Sequence, residues 1–323
     1  MSALRARSLG IAALGMPAIR LLFRYALTNH SSCVPGGQSA AAIARGLNYM
    51  WRIKVMPRDI LMTPFEPVQL ARLHDDAEPI SEANINQTWR ATLSTHSGET
   101  SAIVKWIPRR EIIVEAICSI VGRAHGLPIP KPFLVLATPD TLPNAPWADG
   151  DSSALLFGAE VLDHPTLRRR VKNDGSAMER AVLAWKNLAY AGSFDEWIAN
   201  DDRHASNLLY DGDEFWLIDH GRALPAGLAI DGQTANVLFD TAAGASKAVR
   251  TELLAGAQVS VERYADHCPH ATALADLVYA ERLGHTALVE SLIEFLERRV
   301  PHIPELVAKR LGLIDYSLYE HGR

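Results

Sequence analysis

The chain has few cysteines and no surplus of positive charge. Its three cysteines, Cys33, Cys118 and Cys268, lie far apart and form no Cys-x-x-Cys pair. That spacing excludes a disulfide framework and a zinc knuckle and favours a reducing compartment, so we expect a cytoplasmic protein. The net charge of -5 gives no support to nucleic-acid binding, which usually shows as a basic surplus.

Long hydrophobic runs are scarce as well. Residues 8–19 form an uncharged run, but Arg20 and Arg24 introduce charge directly after it. The run is shorter than the roughly 20 apolar residues that a membrane-spanning helix requires. We therefore expect no membrane span and interpret residues 1–60 as an N-terminal extension that is partly flexible.

The remaining composition is that of an ordinary globular protein. Hydrophobic residues make up 48% of the 323 positions and charged residues 21%. A chain of this length can bury a sizeable core and form one large or two modest domains.

Strands are predicted early in the chain and helices late. The predicted strands are Ile85–Leu93, Thr100–Trp106, Phe133–Leu136 and Ala154–Phe157. The first predicted helix, Glu111–Ala124, lies between the second and third of them. The later helices are Glu179–Tyr190, Ala248–Gln258, Ala271–Leu283, Thr286–Arg299 and Ile303–Leu311. Residues 138–153, rich in Pro, Asp and Asn, predict an exposed loop. The order indicates an α+β fold with a small sheet-bearing lobe, 61–161, before a mainly helical lobe, 162–323.

Three oxygen-bearing side chains stand at a suggestive spacing. Asp202, Asn207 and Asp219 form an Asp-x4-Asn-x11-Asp array, and Asp219 follows the apolar run Phe215–Ile218. Phosphoryl transfer from a magnesium nucleotide needs one carboxylate to orient the acceptor hydroxyl, and it needs hard oxygen ligands for the metal. We assign the first role to Asp202 and the metal-binding role to Asn207 and Asp219.

A predicted hairpin brings two of these residues together. The segments Leu208–Tyr210 and Phe215–Ile218 flank an Asp-Gly turn at Asp211 and Gly212. Asn207 and Asp219 should then lie at the same open end of the ladder, within reach of one metal ion.

Lys105 and Glu115 form a second candidate pair. Lys105 interrupts the apolar strand around Ile103 and Val104, and Glu115 lies on an otherwise apolar helix. A buried charge on such a helix is costly unless it is paired. We expect Lys105 to contact nucleotide phosphates and Glu115 to position it, while Glu111, in the polar first turn of the helix, is the competing partner.

Each of these residues also has an ordinary structural explanation, such as a turn residue or a solvated strand lysine. A different class of site, a transition-metal phosphohydrolase, could use Asp202, His204, Asp219 and His220, since imidazole suits such metals. No His-x-x-x-His or His-x-His spacing accompanies these histidines, and Asn207 would have no function in that site.

These residues resemble the HipA-like kinases, and more distantly the phosphatidylinositol 3/4-kinase group. Asn200–Asn207 is similar to the catalytic loop of that family, and Asp219-His220-Gly221 to its metal-binding triplet. Lys105 looks like the family's strand lysine, and Glu115, which precedes the segment 126–130, looks like its helix glutamate.

The resemblance implies a bilobal protein-kinase-like fold, ATP and Mg²⁺ as cofactors, and transfer of the γ-phosphoryl group to a hydroxyl, by resemblance that of a protein Ser or Thr. It also implies that backbone groups near Glu160 and Leu162, where the family joins its lobes, hold the adenine. By family analogy alone, an antitoxin-like protein is a possible partner.

The chain departs from the patterns of ordinary protein kinases, and it lacks the His-Arg-Asp order of their catalytic loop and an Ala-Pro-Glu-type element. Asn84–Thr88 occupies the position of the glycine-rich phosphate loop without containing a glycine, and His220 stands where ordinary protein kinases have Phe. The missing glycines favour an alternative, a pseudokinase that binds nucleotide without turnover. A lipid or another small molecule is a further alternative as phosphoryl acceptor.

Overall fold

The computed structural model describes residues 62–80, 86–172 and 174–314. The predicted extension 1–60 and the start of the strand predicted from Ile85 lie outside the described residues. Within them, the N-terminal region carries a sheet and the C-terminal region is mainly helical, as the sequence predicted.

Six strands form the main sheet of the described part of the chain. They are β1 Gln69–Leu73, β2 Glu78–Pro79, β3 Thr88–Thr95, β4 Gly98–Lys105, β5 Pro132–Ala137 and β6 Ala154–Glu160. Their order is β1-β5-β6-β4-β3-β2, and β1 also pairs with β3. The sheet therefore closes on itself through five strands, and β2 is added outside the ring. The sequence analysis predicted neither β1 nor β2.

Alternation along the strands fills the interior of this closed sheet. Trp89, Ala91 and Leu93 on β3 are buried, while Arg90 between them is exposed. This period of two is the pattern expected of a strand with one buried face. The interior cluster consists of Ala71, Leu73, Trp89, Ala91, Leu93, Ala102, Val104, Phe133, Val135, Ala137, Leu142 and Leu156.

The loop 138–153 is only partly exposed, contrary to the sequence prediction. Leu142 retains 3% of its surface exposed and belongs to the interior cluster. Trp147 donates a hydrogen bond from Nε1 to the carbonyl of Leu142 at 2.8 Å and packs edge-on against Trp106. The loop contributes a hydrophobic residue to the core because an indole ring fixes its conformation.

Helix α1, Arg109–Ala124, begins after Pro108 and ends before Gly126, which adopts a left-handed φ of 75°. The sequence predicted this helix. Nearly its whole length is buried, from Ile112 to Val121, and it packs against β5 and β6. Glu115, on the same helix, is therefore held inside the protein, where its charge requires a partner.

Two predicted helices are interrupted. The helix predicted over Glu179–Tyr190 is in fact two helices, because Trp185 takes an extended conformation and its indole N–H donates to the carboxylate of Glu214. The helix predicted over Ala271–Leu283 breaks at Tyr279, whose φ is 55°.

The helices after α1 are α2 Leu167–Arg170, α3 Gly175–Ala184, α4 Leu188–Trp197, α5 Val237–Ala242, α6 Lys247–Asp266, α7 Ala271–Leu277, α8 Ala280–Leu283, α9 Thr286–Arg299 and α10 Ile303–Arg310. Along the described ranges, none of the helices combines the length and the apolar character that crossing a membrane would take.

The closed sheet gives a stability prediction. We expect Leu93→Ala to lower the free energy of unfolding by about 2–5 kcal/mol, because Leu93 is fully buried in the interior cluster. Leu70→Ala is the matched control, since Leu70 lies on β1 with 49% of its surface exposed. Urea unfolding of both variants measures the difference, and equal losses would contradict the closed-sheet core.

Candidate active site

A short hairpin carries two of the predicted site residues. Strands β7, Leu208–Tyr210, and β8, Phe215–Leu217, pair antiparallel, and Leu208 lies opposite Leu217. One step further, the N–H of Ile218 donates to the carbonyl of Asn207 at 3.2 Å. Asn207 and Asp219 thus leave the ladder at the same end, as the Asp-Gly turn predicted.

The side chain of Asp211 fixes the turn of this hairpin. Oδ1 of Asp211 accepts hydrogen bonds from the N–H groups of Asp213 and Glu214, each at 2.8 Å. Gly212 adopts a φ of 118°, which favours glycine. The N–H bonds of these two residues lower the pKa of the Asp211 carboxyl.

A buried arginine holds the open end of the hairpin. Arg203 donates from Nε and Nη2 to the two carboxylate oxygens of Asp195, at 2.9 and 3.0 Å. Its Nη1 donates to the carbonyls of Asn207 and Ile218, at 3.0 and 2.6 Å. Both side chains of the pair are fully buried. The guanidinium therefore ties helix α4 to the last residue before β7 and to the residue just before Asp219.

Asp219 adopts a left-handed backbone with a φ of 61°. Such a conformation is uncommon for a residue other than glycine and persists only where its surroundings determine it. The surroundings here are the Arg203 bond to the carbonyl of Ile218 and the bond from the His220 N–H to Oε2 of Glu115 at 2.8 Å. Held on both sides, Asp219 directs its carboxylate, 41% exposed, toward Lys105.

Lys105 joins two carboxylates. Its Nζ lies 3.2 Å from Oε1 of Glu115 and 2.8 Å from Oδ1 of Asp219. Glu111, the competing partner, has no such contact with Lys105 among the described ion pairs. An ammonium has three N–H donors, so this arrangement leaves one of them for a further acceptor such as a phosphate oxygen.

Charges around Lys105 shift several pKa values. Burial opposes the charged form of Lys105, but the carboxylates of Glu115 and Asp219 outweigh burial and raise its pKa. Burial likewise opposes ionisation of Glu115, yet the Lys105 ammonium and the bonds from His220 outweigh it and lower the pKa of Glu115. The pair is therefore ionised at neutral pH.

Glu111 experiences the opposite balance. Burial, followed by the negative charges of Asp219 and Glu115, raises the pKa of the Glu111 carboxyl. Glu111 lines the same cleft as Asp219, and a β-carbon added at Gly221 would lie 3.5 Å from one Glu111 oxygen. The Asp219-His220-Gly221 turn thus packs closely against the first turns of α1.

The predicted Asp202 and Asn207 are linked directly. Nδ2 of Asn207 donates to the backbone carbonyl of Asp202 at 2.8 Å, which leaves Oδ1 as the atom with which Asn207 could bind a cation. The Asp202 carboxylate is partly exposed, and its Oδ1 lies 4.0 Å from Nε2 of His204. The loop between the two residues is closed by a short 3₁₀ turn, Ala205–Asn207, capped by the His204 side chain.

These residues surround one cleft of about 980 Å³. Of the predicted site residues, Lys105, Asp202, Asn207 and Asp219 line it, and Glu115 lies behind Lys105. Asn86 and Thr88, from the segment without glycine, also line it. Asn84 and Ile85 of that segment lie outside the described residues.

The cleft lining does not include Glu160 or Leu162. Glu160 ends β6, where it pairs with Ala102, and its N–H donates to the carbonyl of Lys131 at 2.9 Å. The described structure therefore does not bring these two positions together with the other predicted residues, and their adenine-binding role stays a prediction.

The donor set fits magnesium better than a transition metal. Mg²⁺ takes oxygen ligands, retains several waters and needs only one or two protein groups beside phosphate oxygens. Oδ1 of Asn207 and the carboxylate of Asp219 supply such oxygens at an open cleft. In the described ranges, no cluster of three or more His, Cys, Asp or Glu side chains is placed to hold a metal ion.

His220 does not join the proposed hydrolase set. Its side chain is buried, its Nδ1 lies 3.6 Å from Oε2 of Glu115, and its ring packs edge-on against Phe194. Burial lowers the pKa of His220. An imidazole held between a carboxylate and an aromatic ring, and absent from the cleft lining that includes Asp202 and His204, acts as a packing residue.

The sequence analysis did not identify Asp195 and Arg203 as parts of the site. The signal was present, because Asp195 and Glu196 interrupt the apolar run from Leu188 to Ile198 in the same way that Glu115 interrupts α1. Glu196 is paired as well, with Arg310 at 3.0 Å and Arg299 at 3.5 Å. The acidic residues on this apolar helix thus indicated two buried groups of ion pairs, Asp195 with Arg203 and Glu196 with Arg299 and Arg310.

The Arg203 pair gives a first prediction for this site. Asp195→Ala should lower the free energy of unfolding by about 3–5 kcal/mol, because it leaves a buried guanidinium without its carboxylate. Arg298→Ala, which breaks the exposed pair of Arg298 with Glu294, should cost about 0.5 kcal/mol or less. Chemical denaturation compares the two, and a small loss for Asp195→Ala would contradict the role given to the pair.

The Glu115 environment gives a second prediction. Because its folded pKa is depressed, Glu115 contributes stability above its unfolded pKa of about 4.3, and this contribution is lost as the pH falls below that value. Glu115→Gln should therefore show a weaker loss of stability between pH 6 and pH 3 than the unchanged protein does. Thermal melting across this range measures it, and parallel pH curves would exclude the ionised pair.

Comparisons with known proteins place part of the chain in a family. Residues 101–259 match the family model described as HipA-like kinase. A search of the solved structures finds a crystal structure of a Helicobacter pylori proinflammatory kinase, CtkA, at 10% identity and a TM-score of 0.42, covering 76% of this chain and 99% of that one. No curated protein matches the chain. The family match confirms the resemblance to the HipA-like kinases over residues 101–259.

Proposed function

We propose that this chain is an ATP- and Mg²⁺-dependent phosphotransferase that moves the γ-phosphoryl group to a hydroxyl, with a protein Ser or Thr as acceptor. One observation carries the proposal: Lys105, Asp202, Asn207 and Asp219 line a single cleft, and Lys105 bridges Glu115 and Asp219. The match of residues 101–259 to HipA-like kinases supports it. We further propose that 61–161 and 162–323 are the two lobes of a kinase-like fold.

Each side chain has one task in this reaction. Glu115 keeps Lys105 in place, and the remaining N–H of Lys105 binds a phosphate oxygen. Asp202 orients the acceptor hydroxyl and accepts its proton as the new O–P bond forms. The bond from the γ-phosphorus to the bridging oxygen breaks, and ADP leaves with that electron pair.

Asn207 and Asp219 would hold the metal ion. When bound, Mg²⁺ neutralises the charge that develops on the phosphate oxygens. Arg203 contributes indirectly, because it fixes the backbone on both sides of the hairpin opening. Small displacements of such ligands are costly in rate, and a buried guanidinium with four hydrogen bonds limits them.

Two alternative functions remain, and the assays described below distinguish them from the proposed one. A nucleotide-binding module without turnover is favoured by Asn84–Thr88, which occupies the position of the phosphate loop and has no glycine to approach the phosphates closely. A lipid or small-molecule kinase would share every residue named above and differ only in the acceptor.

We expect Asp219→Ala to reduce Mg²⁺-dependent ATP turnover by at least about 10²-fold, because it removes the carboxylate that the proposal assigns to the metal ion. Asp213→Ala is the control, because Asp213 is an exposed residue of the hairpin turn outside the cleft lining. The measurement is ADP release together with ³²P transfer to Ser- and Thr-containing proteins, with and without Mg²⁺.

Undiminished ATP consumption by Asp219→Ala would refute the metal assignment. Mg²⁺-dependent stabilisation by nucleotide without transfer to any acceptor, in the unchanged protein, would identify the non-catalytic binding module instead.

A further inference from the structure

The charge balance of the cleft is opposite in sign to that of the whole chain. The chain has 32 Lys and Arg residues against 37 Asp and Glu residues. The cleft is lined by more basic than acidic side chains. The basic ones are Arg90, Lys105, Arg168, Arg169, Lys172 and Arg222, and the acidic ones are Glu78, Glu111, Asp202 and Asp219.

Three of these cations lie together in the sequence Arg168-Arg169-Arg170-Val171-Lys172. Arg168 and Arg169 are in α2, and Lys172 follows it with a φ of 50°. Arg168, Arg169 and Lys172 line the cleft, whereas Arg170, in the same short helix, does not. Arg170 lies beside the hairpin turn, where its Nη2 is 4.0 Å from the position of a β-carbon added at Gly212.

This segment is attached to the hairpin formed by β7 and β8. Thr166 forms a β-bridge with Leu209, and the N–H of Tyr210 donates to the carbonyl of Pro165 at 2.9 Å. Helix α2 also contacts the 3₁₀ turn that ends at Asn207. The segment that carries these basic residues is therefore attached to β7, the strand that directly follows the proposed catalytic loop.

These cations belong to a different element from the proposed phosphate contact. The proposed phosphate contact is Lys105, which is on β4 and is held by Glu115. The α2 cations belong to the chain segment just before β7 and are attached to β7 rather than to β4. A second anionic group, distinct from the triphosphate, fits their position.

Arg222 is the fourth cation of this group, and its present ion pair is weak. Its Nε lies 3.6 Å from Oδ1 of Asp201, and both side chains are substantially exposed. Exposed pairs of this kind contribute little to stability, so an incoming carboxylate can replace Asp201 without a large penalty. Arg222 follows Asp219 by three residues and is therefore next to the reacting groups.

We propose, on the basis of the phosphotransfer function above, that the acceptor is an acidic protein segment. Arg168, Arg169, Lys172 and Arg222 bind Asp or Glu side chains that flank the acceptor Ser or Thr. The planar guanidinium group binds a carboxylate through two hydrogen bonds. The four cations are on long, exposed side chains, which can reach several separate carboxylates more readily than one compact headgroup.

Binding and turnover are measured separately. Fluorescence anisotropy follows three labelled peptides, each with a central Ser flanked by Glu, by Gln or by Lys, in the presence of Mg²⁺ and a non-hydrolysable ATP analogue. The Glu peptide should bind most tightly, and raised salt should weaken its binding most.

The matched variants are Arg169→Gln with Lys172→Gln, and Arg170→Gln as the control. The first should weaken binding of the Glu peptide roughly 3- to 10-fold and leave the affinity for the ATP analogue unchanged. Arg170→Gln removes one positive charge from the same turn and should leave peptide binding unchanged, because Arg170 does not line the cleft. Thermal melting checks that each variant is folded.

A charge reversal provides a second readout. Lys172→Glu should weaken binding of the Glu peptide and strengthen binding of the Lys peptide, which a loss of folding cannot produce. A preference for the Lys peptide by the unchanged protein, an equal effect of Arg170→Gln, or a loss of ATP-analogue affinity in the first variant would overturn the proposal. So would phosphorylation of anionic lipid vesicles in preference to the Glu peptide. Absence of phosphate transfer despite selective Glu-peptide binding would instead refute the proposed function alone.

Discussion

The arrangement of the cleft depends on one buried guanidinium. Arg203 binds both oxygens of Asp195 and two backbone carbonyls, those of Asn207 and Ile218, and neither charged side chain reaches solvent. Burying a charged pair is favourable only if its remaining donors and acceptors are satisfied. Here the spare donors of Arg203 are satisfied by the backbone that carries the proposed metal ligands. The cost of burying the pair is thus offset by contacts that also set the geometry of the site.

Glu115 links this hairpin to the sheet. One of its oxygens accepts from Lys105 on β4, and the other accepts from the N–H of His220, just after Asp219. A single buried carboxylate therefore contacts both Lys105, the proposed phosphate-binding cation, and the residue that follows Asp219, the proposed metal ligand. Since Lys105 also contacts Asp219, three charged groups of alternating sign stand in a row, and the two carboxylates together raise the pKa of Lys105.

The local parts of this site were predictable from the sequence, and the distant ones were not. The Asp-Gly turn and its flanking apolar runs gave the hairpin, and an isolated acid on an apolar helix gave Glu115. The closure of the sheet through β1 and β3 was missed, because β1 is a short strand whose partners lie far away in sequence. The break at Trp185 was missed because it depends on a tertiary bond to Glu214. The buried partner of Arg203 was indicated only by an acid on another apolar helix.

The central claim is that Asn207 and Asp219 bind one magnesium ion beside the phosphates of a nucleotide contacted by Lys105. A crystal structure of the protein with Mg²⁺ and a non-hydrolysable ATP analogue tests it most directly. The account predicts a metal ion about 2.1 Å from Oδ1 of Asn207 and from a carboxylate oxygen of Asp219, with a phosphate oxygen bound to Lys105. Nucleotide bound outside this cleft, or a metal ion held by neither residue, would contradict it.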